Sequence, residues 1–184
     1  MGAIQELAAE LGAEERTLRR AASQGTLRGR RPGPRRFELG QGEREYLHAH
    51  WQLIAALRMA LRTQPRVRLA VLYGSVARGD EDETSDLDLL VDLDQDPKPL
   101  SRVRLSLMFE DVTGRRVDVA ALSHVQKSAP FLLSQVLKEG RVLVDRDGTW
   151  PKLHAGRRAI HERGRRAYRR QLASAQSAVE ELTQ

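Results

Sequence analysis

The first forty residues alternate short apolar runs with turn residues. Ile4, Leu7, Ala8 and Leu11 recur at helical spacing, which predicts a helix over residues 3–11 that Gly12 stops. A second helix is predicted from Ala13 or Glu14 to about Ser23, with Leu18 and Ala21 or Ala22 inward and Gly25 as its stop. The stretch 26–39 carries two short arms around Pro32-Gly33-Pro34 and reads as a β-hairpin. From Gln41 to Thr63, Tyr46, Leu47, Trp51, Ile54, Leu57 and Leu61 share one face of a long helix that Pro65 ends. Trp51 lies on the apolar face and reads as a core anchor.

Beyond Pro65 the pattern changes. Strands are predicted at 67–72, 87–93, 116–122 and 141–145, and helices at about 99–113 and 130–139. A Gly-Ser turn, Gly74-Ser75, leads from the first strand into a helix start, and the polar stretch 94–99 reads as a loop. Alternation of strands and helices argues an α/β (α+β) fold with a mixed sheet of about four strands. The segment from about His154 to Leu182 reads as helical and amphipathic only in part. The organisation this gives is an N-terminal module at 1–40, a linking helix at 41–64, an α/β domain at 65–148 and a basic helical tail at 149–184.

The 184 residues are 40% hydrophobic, enough for a packed core, and contain no cysteine. Disulfides and thiolate zinc sites are therefore excluded. No apolar run approaches a membrane span and the N-terminus is acidic and amphipathic, so the reading is a cytoplasmic protein with no membrane partner. Net charge is +6, carried almost entirely by arginine, which favours a polyanionic partner. The charge is segregated: residues 28–36 are basic, 80–96 acidic, and 152–170 basic again.

Two helices followed by a hairpin resemble a winged or MerR-like helix-turn-helix module. The resemblance puts Arg16, Arg19 and Arg20 on the second helix and Arg28, Arg30, Arg31, Arg35 and Arg36 on the wing, for DNA. Such a module often dimerises, so a homodimer is a further expectation. The bland alternative is a solvated loop or a contact for an acidic protein.

The chemistry concentrates in residues 72–89, LYGSVARGDEDETSDLDL. Asp86 and Asp88 are two apart on a predicted strand, so both carboxylates project from one face. Paired carboxylates repel unless a cation lies between them, and Mg²⁺ favours such oxygen ligands. Gly74 and Ser75 offer backbone N–H groups and a hydroxyl for phosphate. Asp118 stands in an apolar strand, RVDVA; beside the other two it completes a set able to hold two divalent ions. It is also placed to take the proton of an attacking hydroxyl. Its alternative is a partner for Arg115 or Arg116.

Gly-Ser, ten intervening residues and Asp-x-Asp, with Asp118 downstream, resemble the minimal nucleotidyltransferases of the DNA polymerase β superfamily. The likeness covers about residues 65–147, including the ending LKEGRVLVDRDG. It implies transfer of a nucleoside monophosphate, AMP from ATP or another NTP, to a hydroxyl with release of pyrophosphate. Gly74, Ser75, Arg78 and Ser85 would bind the nucleotide, with Asp86, Asp88 and Asp118 holding two Mg²⁺ ions and doing catalysis. Many small members resembling this chain are antitoxins that adenylylate a HEPN-type ribonuclease toxin, so a protein acceptor is implied. Two alternatives stay open: a DNA-binding regulator whose nucleotidyltransferase domain only senses nucleotide or docks a partner, and a small-molecule (antibiotic) nucleotidyltransferase. The short cationic tail is poorly suited to a cationic antibiotic.

Overall fold

The computed structural model describes residues 2–33, 36–94 and 99–182. Helices α1 (Ala3–Glu10) and α2 (Glu15–Gln24) are followed by a hairpin of β1 (Arg30–Gly33) and β2 (Arg36–Glu38), then by α3 (Gln41–Arg62). The hairpin pairs Arg30 with Glu38 and Gly33 with Arg36; Arg35 and Pro34 lie outside the described residues. Next come β3 (Val67–Tyr73), the short α4 (Gly74–Arg78), β4 (Leu87–Leu93), α5 (Pro99–Thr113) and β5 (Val117–Ala121). The chain continues through α6 (Leu122–Ser128), α7 (Pro130–Glu139), β6 (Arg141–Asp145), α8 (Thr149–Ala155) and α9 (Arg157–Leu182).

Strand order is β5-β4-β3-β6. β3 runs antiparallel to β4 and β6, whereas β4 and β5 are parallel, so the sheet is mixed and four-stranded as the alternation predicted. One face buries Ala70, Leu72, Leu87, Leu89 and Val91 with α1, α2, α3 and α5. The other buries Leu69, Val71, Tyr73 and Leu90 with α6, α7 and residues of α8 and α9. A register shift between Val67 and Leu69 resets the alternation, which is how Val67 joins the same face as Ala70. Burial on both faces makes β3 read as an almost unbroken apolar run.

One expectation is corrected. Leu122 begins α6 instead of ending a strand, because LSHVQKS buries Leu122 and Val125 at helical spacing. The helical tail is built of two helices: Gly156 caps α8 and α9 starts beyond it.

Helices α1 and α2 and the hairpin strand β2 share one core with the sheet. Leu7, Leu18, Leu27, Trp51, Ile54, Leu57 and Leu72 belong to a single buried cluster. Trp51 is 4% exposed, the anchor its position predicted. Polar bonds reinforce the junction: the Val142 N–H donates to the Gly25 carbonyl at 3.3 Å, and the Thr26 hydroxyl donates to the Val142 carbonyl. Among the described residues no helix is long and apolar enough to cross a membrane.

Candidate active site

The site forms where β3 ends. Tyr73 pairs with Asp88 across β4, and Asp88 lies in register with Asp118 across β5. The chain then reverses at Gly74, whose φ of +76° belongs to the left-handed region. A Cβ at Gly74 would collide with the Asp88 carboxylate, so glycine permits both the turn and the close approach of that acid. Val76 and Ala77 are fully buried and pin α4, and a second left-handed glycine, Gly79, closes it.

Asp88 is half-buried, and burial is the main cause that pushes its carboxyl above the ordinary range. The charges of Asp118 and Asp86 push the same way, and Arg78 only partly opposes them. The Tyr73 phenol is also raised, first by burial and then by Asp88 and Asp118. Asp86 and Asp118 therefore both lie within electrostatic reach of Asp88. Asp86, immediately before β4, takes an ion pair from Arg116 at 3.0 Å. Arg116 thus goes to Asp86 rather than Asp118, and Arg115 donates to the Ser85 carbonyl at 2.7 Å.

Among the described residues no three His, Cys, Asp or Glu side chains already converge as a metal cluster. The residues nonetheless fit a hard cation. Their donors are carboxylate oxygens, and a divalent ion would offset both the burial of Asp88 and its repulsion by Asp118 and Asp86.

Arg78 donates to Asp80 at 3.0 Å and to Glu139 at 2.9 Å. The Ser85 hydroxyl donates to Asp82 at 2.9 Å and accepts the Asp82 N–H at 3.0 Å, so it shapes the turn that delivers Asp86 to β4. Sequence reasoning did not single out Glu139, whose carboxylate accepts the Gly74 N–H at 3.3 Å as well as Arg78. Its available signal was the Lys138-Glu139-Gly140 segment next to β6. Arg141 and Glu43 were missed too. The buried Arg141 guanidinium grips the Glu43 carboxylate at 2.6 and 2.9 Å and donates through Nε to the Ala77 carbonyl at 2.8 Å.

Arg28 lies here and not out on a wing surface: it is half-buried and donates to the carbonyls of Ala77, at 3.2 Å, and Glu139. Arg16, Arg19 and Arg20 are exposed on α2, with Arg19 paired to Glu15 at 2.7 Å. Arg30, Arg31 and Arg36 are exposed on the hairpin; Arg31 lies over the Phe37 ring and Arg36 pairs with Glu38 at 3.4 Å.

The model of the family described as "Polymerase beta, Nucleotidyltransferase" matches residues 56–149, half of the chain, and includes the Gly-Ser turn and all three aspartates. The chain belongs to this family. As a minimal nucleotidyltransferase it has curated relatives. It is 37% identical over 73 residues to a candidate protein adenylyltransferase of Methanocaldococcus jannaschii, a match spanning 40% of this chain and 75% of that one. It is 32% identical over 87 residues to the protein adenylyltransferase MntA of Thermococcus cleftensis, spanning 47% of this chain and 85% of the other. Among solved structures, one of a tri-AMPylated Shewanella oneidensis HEPN toxin with its MNT antitoxin matches at 17% identity and a TM-score of 0.44. That match covers 76% of this nucleotidyltransferase and 99% of the other chain.

Proposed function

We propose that this nucleotidyltransferase moves AMP from ATP to a hydroxyl on a partner protein, as the antitoxin of a toxin–antitoxin pair. The observation that carries the proposal is the in-register pair Asp88 and Asp118 set against the Gly74 turn. The relatives that bear the name protein adenylyltransferase support a protein acceptor. So does exposure: Asp118 is open to solvent on β5, the last strand of the sheet, where a hydroxyl on a macromolecule can reach it. The acceptor implied by the family resemblance is a HEPN-type toxin.

In the proposed reaction the acceptor oxygen forms a bond to the α-phosphorus, the α–β phosphoanhydride breaks, and pyrophosphate leaves. Asp118 takes the hydroxyl proton. The Gly74 N–H and Ser75 hydroxyl hold phosphate oxygens, and Arg78 offsets their charge. Asp86, Asp88 and Asp118 would hold Mg²⁺, two ions in this reading, which when bound supplies Lewis-acid stabilisation of the phosphates. The exposed arginines of α2 and the hairpin would contact DNA, giving control of the protein's own operon.

Mass spectrometry of the partner protein, co-expressed with wild type or with Asp86→Asn/Asp88→Asn, tests the reading. Adenylyl adducts on partner hydroxyls with wild type alone are expected. An unmodified partner that still binds the chain would overturn it in favour of a docking module. Retardation of DNA upstream of the gene, weakened by Arg16→Gln/Arg19→Gln and steeply salt-dependent, tests the DNA contact; salt-insensitive or absent binding would end it.

A further inference from the structure

A groove between α2, α3 and the end of β6 encloses about 320 Å³. It lies away from the transfer site: that site forms around Tyr73, whereas Arg146 follows Asp145, which pairs with Leu69 near the start of β3. Arg20, Arg58, Arg62 and Arg146 line the groove beside Trp51 and Leu143. Against four guanidiniums it has one carboxylate, that of Glu14.

Arg58 sets this cluster apart from a solvated basic face. It is half-buried, and its three hydrogen bonds go to neutral acceptors: Thr26 and the Leu143 carbonyl at 2.8 Å, Gln24 at 3.0 Å. A guanidinium has five N–H donors, so its Nε–H and one Nη2–H remain uncommitted among the described residues. Burial, then Arg20 and Arg62, lower its pKa to about 10, with no acid acting in the opposite direction. Arg146 is likewise held by carbonyls, of Val67 at 2.8 Å and Leu61 at 2.9 Å. Of the four, Arg58 alone is withdrawn from solvent, and a half-buried guanidinium that meets only neutral acceptors and like charges is costly. A bound anion would offset that cost, and guanidinium forks suit phosphate oxygens.

We propose that this groove is a second binding site, for a small organic phosphate. Its volume is at the lower end of ligand pockets, about 300–1,000 Å³. The recess of Arg58 and the apolar wall of Trp51 and Leu143 suit a small ligand, with the exposed Arg20, Arg62 and Arg146 at its rim.

The test is calorimetric titration of the full chain with ADP in EDTA, comparing wild type, Arg20→Gln/Arg62→Gln and Arg78→Gln. Arg20 and Arg62 are exposed and make no hydrogen bond among the described residues that the fold needs. In the double variant the groove's ADP binding is expected to weaken roughly tenfold or more, with circular dichroism and melting unchanged, while Arg78→Gln, which alters the transfer site alone, keeps that binding event. ADP binding lost in Arg78→Gln and kept in the double variant would place the ligand at the transfer site and overturn the proposal. Binding of duplex DNA but not ADP, sensitive to the same double variant, would also overturn it.

Discussion

Replacing Glu43 by glutamine tests how the N-terminal residues hold the Gly74–Gly79 turn. The Arg141 side chain is 2% exposed and that of Glu43 is 9% exposed, so the pair lies essentially out of water. Glu43 also accepts the Arg28 N–H at 2.9 Å, and the Arg141 guanidinium lies 3.5 Å from the centroid of the Tyr46 ring. Glutamine keeps the size but leaves a buried guanidinium without its counter-charge, a loss worth about 3–5 kcal/mol. At about 2–4 °C per kcal/mol for a chain of this length, the melting temperature should fall by roughly 6–20 °C. Thermal unfolding followed by circular dichroism, within a double-mutant cycle with Arg141→Gln, gives the coupling energy. We expect roughly 2 kcal/mol or more. Adenylyl transfer should fall as well, because Arg141 anchors the Ala77 carbonyl at the end of α4. A Glu43→Gln loss below about 1 kcal/mol would refute the reasoning, since the pair would then behave as if hydrated.

Other outcomes follow from the site. Gly74→Ala should destabilise by at least about 1–2 kcal/mol for its left-handed backbone, with further loss from collision with Asp88, and should depress transfer. Asp88→Asn should reduce transfer about 10²-fold or more yet raise the melting temperature in EDTA. Because the folded chain raises this carboxyl, its charged form destabilises above the folded pKa, and that penalty fades as pH falls through it. The stability gap between Asp88→Asn and wild type should therefore close in acid and also shrink with added Mg²⁺; a gap that widens in acid contradicts the sign. Glu139→Gln removes a negative charge beside the Gly74 N–H and Arg78. It should lower KM for ATP by roughly fivefold, from about 1 kcal/mol of repulsion at about 4 Å in water; a raised KM would make Glu139 a supporting residue instead.

The parts of this molecule legible in its sequence are those set by local rules. β3 declares itself as an apolar run, α3 by one six-residue stripe, and the Gly-Ser and Asp-x-Asp elements by spacing alone. Asp118 by itself read as a partner for Arg115 or Arg116, and joined the candidate set only beside the Asp86 and Asp88 motif; β5 places it, exposed, in register with Asp88. What stayed hidden depends on long-range contact. Nothing near Arg28 in the chain says that it meets the carbonyls of Ala77 and Glu139. Arg141 and Glu43 are 98 residues apart and look like ordinary surface charges until the fold buries them together. Glu139 faced the same obstacle, since its partner Gly74 lies 65 residues away.

The most direct test of the central claim is transfer of label from α-³²P-ATP to the purified partner protein with Mg²⁺, using wild type, Asp88→Asn and Asp118→Asn. Label on the partner with wild type, reduced to background in both variants while each still folds and binds the partner, is the predicted result. Equal labelling by wild type and Asp118→Asn, or none by wild type with any NTP, would contradict it.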